Sequence, residues 1–377
     1  DTVSKPCGLP WEVFYDTLLH TLANNEREYY NEIEREYVEI MEGVNRLSTP
    51  ISEYGSGIKT TINVFEEGLD DGFSLKEISS GSKEILSLIT KIVQARDGTS
   101  LLLIEEPELH LHPEAERQIF DLIRDVVKND PQVILTTHSD VFVNETDSSN
   151  IIRVSREERT NLHNVSEESI DDELADLGYN KSNLLQSRAV VFVEGKSDER
   201  ILIQLARNAG FDLSENSIEV VELDGEGNIR SDGRSLVKLL YQMDIPYRFI
   251  LDSHGDDPDE VADEHTSEIN DRKGDWYTTP EQFIVWSAYG IESYLIEVPE
   301  AIGDVVNADA DRVEEIIEEN SDEPDKAEVL NKIFCKHLGE EYDKNQHGML
   351  IARNIPKESI SQEIKEAIGE LRQLVEE

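Results

Sequence analysis

Cysteine is scarce in this chain of 377 residues: there are two, Cys7 and Cys335. Two cysteines build no disulfide framework, and no Cys/His spacing suited to zinc occurs. No apolar run approaches bilayer-spanning length and the visible N-terminus has no signal-peptide pattern, so no membrane partner is expected and a cytoplasmic location is the default. Positive charge is short as well. Lys and Arg number 35 against 82 Asp and Glu, a formal net charge of -47. Taken alone, that balance argues against a nucleic-acid partner, whose phosphates it would repel. The acid, however, is spread through loops, helix faces and the C-terminal tail rather than gathered in one block. Such spreading resembles the proteome of a salt-in halophile, where carboxylates hold water and cations and strong salt screens their repulsion. Ordered strand and helix patterns with 38% apolar residues argue against disorder. There are no internal repeats, and no low-complexity tract beyond the acidic bias.

A phosphate-wrapping loop is also missing. No G-x-x-x-x-G-K-[ST] occurs, and the nearest string, YGSGIKTT (54–61), has Ile58 between Gly57 and Lys59. Three other strings are present in a telling order. ISSGSKE (78–84) is a small-residue turn opening a helix. LLLIEEPELHLHP (101–113) reads as a buried parallel strand whose end presents two carboxylates. QVILTTHSD (132–140) is a second apolar run, ending in polar groups at the same edge of the sheet.

In this order the three pieces resemble the signature loop, the Walker B strand with D-loop, and the His switch of ABC-type ATPases. The resemblance implies that Glu105 helps hold the water shell of Mg²⁺, although the family more often has Asp there, and that Glu106 polarises the attacking water. Ser79 and Gly81 would present hydroxyl and N–H groups to a phosphate of ATP bound on an opposing subunit, which implies a homodimer or higher homo-oligomer. His138 would sense the γ-phosphate, and Pro107 with the ELHLHP segment would face the dimer partner. His110 and His112 read as turn residues rather than a metal pair. Heads of this type carry the P-loop on an early strand. The expectation is therefore a fragment whose N-terminal lobe lies upstream, with no tight ATP binding or hydrolysis by this chain alone.

Around these motifs the periodicity predicts one or two long helices over 11–45, with Ile33, Tyr37, Ile40, Met41 and Val44 as an apolar stripe. A strand pair over 58–65 and helices over 82–95 and 114–128 follow. Residues 144–187 read as a polar connector with one short strand at 151–154 and a small helix. From Arg188 a second pattern begins. AVVFVEGKSDERILIQLARNAG (189–210) is a buried strand, a Glu-Gly turn and an amphipathic helix. IEVVELDGEGNI (218–229) is a strand ending in a Gly-x-Gly turn, and YRFILDSHGDD (247–257) a strand ending in acids. Three strands delivering carboxylates or glycines at their C-terminal ends define one crevice at the sheet edge. Acids clustered there repel one another unless a divalent cation sits between them.

This half resembles the TOPRIM domain, and together with the ATPase half it resembles the OLD (overcoming lysogenisation defect) family of ATP-dependent endonucleases. The resemblance implies that Glu194 binds metal or acts as general acid/base, and that Asp198 is a second metal-binding acid. Asp252 matches the first Asp of an Asp-x-Asp pair, Glu292 in IESYL the family's late acid, and Gly225 and Gly227 the glycine turn. One departure stands out: the second Asp of the pair is His254, with Asp256 and Asp257 just after it. Either a neighbouring Asp takes over as ligand or one metal site is weakened. Beyond 305 the chain reads as helices over 313–319, 327–338 and 359–375, with Ile360, Ile364, Ile368 and Leu371 on one face. Lys336, His347 and Arg353 are candidates for a basic residue near the cleft.

The expected protein is α/β. The C-terminal part of an ABC-type ATPase head (1–155) is joined by a connector (156–187) to a TOPRIM domain with a Rossmann-like parallel sheet (188–303) and a helical extension (304–377). What the family implies is ATP-gated DNA cleavage dependent on Mg²⁺ or Mn²⁺, in defence against mobile DNA such as phage, with an accessory defence protein as a further partner. The rival readings are a nucleotide-driven clamp or scaffold with a degenerate TOPRIM fold, and another TOPRIM chemistry such as primase or topoisomerase.

Overall fold

The computed structural model describes residues 11–54, 57–96, 100–109, 111–128, 132–156, 159–164, 180–223, 233–270 and 278–376. The chain divides into two compact units, Asp1–Glu145 and Thr146–Glu377.

The first unit opens with helices α1 (Trp11–Asn25) and α2 (Arg27–Ile40). In α2, Tyr30, Ile33, Tyr37 and Ile40 recur every three or four residues and are buried, so one face is core and the other Glu- and Arg-rich. The expected stripe ends with the helix, because Val44 opens strand β1 (Val44–Ser48). β2 (Ile51–Tyr54) and β3 (Gly57–Thr60) form a separate antiparallel pair, whereas β4 (Asn63–Glu66) lies between β1 and β5 (Phe73–Ser74). The strand pair expected over 58–65 is thus split between two sheets. Helix α3 (Ser80–Ala95) begins two residues earlier than expected. β6 (Leu101–Glu105) and β7 (Gln132–Thr136) are parallel, joined through α4 (Pro113–Val127) and followed by α5 (Asp140–Glu145). Leu102, Ile104, Val133 and Leu135 pack on a core that includes Ile33, Leu86, Ile89, Ile119 and Val126. The apolar run predicts a buried parallel strand, but one face of the pair is open: Leu103 is 68% exposed and Ile134 51%. Parallel strands are ordinarily covered on both faces, and no described residue of this unit covers the second one.

The second unit starts with the antiparallel hairpin β8 (Ile152–Arg156) and β9 (Thr160–Asn164), then the short helix α6 (Lys181–Gln186). Its centre is β10 (Ala189–Val193), α7 (Lys196–Ala209), β11 (Ile218–Glu222), α8 (Arg234–Gln242), β12 (Tyr247–Leu251), α9 (Pro258–Ile269) and β13 (Phe283–Val285). All pairings are parallel, in the order β11-β10-β12-β13. Every residue of β10 is buried, as a strand with neighbours on both edges and cover on both faces requires. Phe192, Phe249 and Phe283 are register partners across three strands, with ring centroids 4.7 and 4.8 Å apart. After β10 the chain goes first to one side, to β11, and then to the other, to β12. The ends of β10 and β12 therefore flank a switch point, where open α/β sheets leave a crevice.

The chain finishes in helices α10 (Glu292–Leu295), α11 (Pro299–Val306), α12 (Ala310–Glu319), α13 (Lys326–His337), α14 (Met349–Asn354) and α15 (Gln362–Glu376). A π-helical turn, Lys344–Gly348, leads into α14. Ile364, Ile368 and Leu371 of α15 are buried with Leu202, Leu205, Leu330 and Phe334 in one core, as the spacing of the first three predicts. Among the described residues, no helix is long and apolar enough to cross a membrane.

Candidate functional site

The switch-point crevice gathers acids from four places in the chain. Glu194 leaves the end of β10, and its Oε1 accepts the Asp252 N–H at 2.6 Å, tying the end of β12 to that of β10. Asp252 Oδ1 in turn accepts the Ile291 N–H at 3.2 Å. The approach is close enough to demand glycine next door, since a Cβ on Gly290 would lie 2.7 Å from Asp252 Oδ2. Asp198 comes from the first turn of α7, and Glu292, only 4% exposed, from the first turn of α10. Among the described residues, Glu194, Asp252 and His254 each offer a ligand atom within 4.8 Å of the others. His254 Nε2 lies 3.6 Å from Glu194 Oε2.

Two carboxyls carry the electrostatic cost of this crowding. Burial, then the charges of Asp198, Glu194 and Glu292, push Asp252 up to about 9. Burial, then Glu292 and Glu194, push Asp198 up to about 7. Both shifts point to one deficit, buried negative charge without enough positive charge beside it. Glu292 Oε1 is buried and makes no hydrogen bond. This donor set, carboxylate oxygens plus one imidazole, fits a divalent cation.

One cation is already there. Lys344 Nζ, on the π-helical turn, lies 3.4 Å from Glu292 Oε1, an ion-pair contact rather than a formed hydrogen bond. Burial pulls the ammonium down, but Glu292, Asp325 and Asp198 outweigh it and leave Lys344 raised and charged. Beside it the Tyr342 hydroxyl is buried without a hydrogen-bond partner, and burial, then Glu292 and Asp198, push the phenol up. The three basic residues singled out in the sequence are elsewhere employed or exposed. His347 stacks on Phe334 with centroids 4.4 Å apart and its Nδ1 accepts the Asp343 N–H at 2.9 Å, while Lys336 and Arg353 are exposed. No periodicity marks Lys344; its place follows from an irregular turn.

Of the other predicted ligands, Asp256 is exposed and outside the three-residue group. Asp257 caps α9, accepting the N–H groups of Asp259 at 3.0 Å and Glu260 at 3.4 Å. Gly225 and Gly227 lie outside the described residues, as does His110.

In the first unit, a cavity of about 500 Å³ is lined by Glu106, Glu108, Pro113, Glu116, His138 and Ser139, among others. Glu106 has φ +43°, a left-handed conformation uncommon outside glycine and often kept at functional sites. Its N–H donates to Thr136 O at 2.9 Å, fixing the end of β6 against that of β7. Glu108 Oε1 accepts the His138 N–H at 2.6 Å, and the Ser139 hydroxyl donates to Glu116. Glu105 is exposed at the strand end. Ser79 caps α3, its Oγ accepting the Ser82 N–H at 3.0 Å, and Gly81 lies in that helix's first turn. Neither lines the cavity. His112 is the residue before α4 and makes no side-chain cap bond.

Comparison with known proteins finds one family match within each unit. Residues 4–144 match the family described as AAA domain, putative AbiEii toxin, Type IV TA system. Residues 185–253 match the overcoming lysogenization defect protein-like TOPRIM domain. The OLD nuclease of Thermus scotoductus is 28% identical over 196 residues, covering 48% of this chain and 36% of that protein. The Old nuclease of Escherichia phage P2 is 27% identical over 150 residues, 36% of this chain and 25% of that one. The chain thus spans well under two thirds of either relative's length. The C-terminal region of the Xanthomonas campestris pv. campestris OLD protein aligns at 16% identity over 51% of this chain and 97% of that one, with a TM-score of 0.36. A match to an AAA-class ATPase domain followed on the same chain by a match to an OLD-like TOPRIM domain, with OLD nucleases among the relatives, fits the OLD family's pairing of ATPase and TOPRIM.

Proposed function

We propose that this protein is a divalent-metal-dependent DNA endonuclease whose ATPase unit gates access to the TOPRIM crevice. The observation that carries the reading is the convergence of Glu194, Asp252 and His254, with Asp198 and Glu292 beside them, at the sheet's switch point. In this reading Glu194, Asp252 and His254 hold one cation, with Asp198 and Glu292 available to a second. A bound cation supplies Lewis-acid stabilisation and a water activated for attack on phosphorus. The chain's own residues do the rest. The N–H groups of Asp252 and Ile291 fix the two carboxylates, so their oxygens need no reorganisation when substrate arrives. Lys344 brings a proton-bearing Nζ to the edge of the acidic cluster, where it can meet a phosphate oxygen.

For the first unit, the reading assigns Glu106 to orient water and Glu105 to a Mg²⁺ shell. His138 contacts the γ-phosphate, and Ser79 and Gly81 serve the ATP of an opposing subunit in a homodimer or larger homo-oligomer. The open face of β6 and β7 and the greater length of the relatives support a covering lobe, with the phosphate-wrapping loop, outside these 377 residues. A cytoplasmic setting and a part in defence against mobile DNA, alone or with an accessory protein, belong to the same proposal. The test gives the full-length protein supercoiled plasmid with Mn²⁺ or Mg²⁺: cutting or nicking is expected, stopped by EDTA and abolished by Glu194→Ala and by Asp252→Ala. Cutting that survives both substitutions would refute the assignment, and no cutting under any metal or nucleotide condition would favour the scaffold reading.

A further inference from the structure

His254 stands where the resemblance calls for a carboxylate, and the backbone around it is built to deliver the ring. His254 and Gly255 have φ of +49° and +91°, two consecutive left-handed residues that turn the chain back directly after β12. For a residue with a side chain this conformation is unfavourable by roughly 1–2 kcal/mol, so surrounding contacts must hold it. The His254 N–H donates to Tyr289 O at 3.0 Å, and the imidazole meets the Tyr289 ring edge to face, with centroids 5.4 Å apart. Ser253 Oγ donates to Ala288 O at 2.8 Å, securing the preceding residue to the same loop. The outcome is an imidazole nitrogen 3.6 Å from a Glu194 oxygen, within the three-residue ligand group.

The neighbouring acids do not replace it. Asp257 is engaged as the cap of α9, and Asp256 points to solvent outside the group. The group therefore offers two carboxylates and one nitrogen. Mg²⁺ is a hard ion that takes oxygen ligands almost exclusively, whereas first-row transition cations accept imidazole readily.

We propose that His254 is itself a metal ligand and makes the Glu194–Asp252–His254 group select a first-row transition cation, of which Mn²⁺ is the probe, over Mg²⁺. This rests on the reading that the crevice binds divalent cations, and the test separates the two. The protein is loaded with one equivalent of Mn²⁺ and examined by electron spin-echo envelope modulation, which registers ¹⁴N bound to the ion. Nitrogen modulation is expected in the native chain and its loss in His254→Asp and His254→Asn. Both replacements tolerate left-handed backbone better than other side chains do, so the loop should keep its course. In His254→Asp, Mg²⁺ should displace Mn²⁺ at concentrations lower by about tenfold or more, because the site is then all oxygen. Mn²⁺ binding that requires Asp252 but shows no nitrogen modulation would overturn the role of His254 and leave the metal reading intact. Binding indifferent to Asp252→Ala would overturn both.

Discussion

Asp252 and Asp198 show how residue-scale chemistry becomes a property of the fold. Each carboxyl is raised by burial and by neighbouring acids, to about 9 and about 7. A raised carboxyl binds its proton more tightly folded than unfolded. Its contribution is complete below the unfolded value, about 3.9 for Asp. That contribution is lost as pH climbs through the folded values. Without divalent metal, the melting temperature of the C-terminal unit should therefore fall from about pH 5 to about pH 9. Scanning calorimetry in EDTA and in Mn²⁺ tests this, because a bound cation takes over from the protons and should flatten the slope. A metal-free melting temperature constant or rising over that interval would contradict the crowding of these acids. The sequence displayed this chemistry in part. Glu194 and Asp252 are readable because each ends an apolar run of strand length. Lys344 and Tyr342 are not, since Lys344 enters on a π-helical turn and Tyr342 on the irregular segment just before it, between α13 and α14.

At the scale of elements, legibility followed length and burial. β10, β12 and β11 were plain as apolar runs, and the stripe of α15 was plain as a repeat of three and four. β13 has three residues, Phe283–Val285, too few to show a period, yet it completes the sheet and leads to the Tyr289–Ile291 loop that holds Asp252 and His254. β9 has no strand signal, because Leu162 is the one apolar residue among Thr, Asn and His. Asp257 was a possible ligand in the sequence and is a helix cap in the structure. The Asp-Pro-Asp-Glu string carries that cap signal, with Pro258 at the first helical position. The open face of β6 and β7 could not be foreseen, because a run such as LLLIE is the same whether its second face is covered by this chain or by another segment.

For the molecule as a whole, the net charge of -47 sets the conditions under which any of this is observed. If the acid is an adaptation to strong salt, circular dichroism should show looser structure in dilute buffer and tightening toward molar KCl, as repulsion is screened. Equal stability at both extremes would give the acid another purpose. Against this acidic background, the claim that matters is that a few carboxylates differ from the rest because they converge on a cation. Calorimetric titration of Mn²⁺ into the protein in molar KCl, which suppresses loose binding to surface acid, measures that most directly. Saturable binding is expected in the native chain and is expected to be absent in both Glu194→Ala and Asp252→Ala. Identical binding isotherms for all three proteins would contradict it.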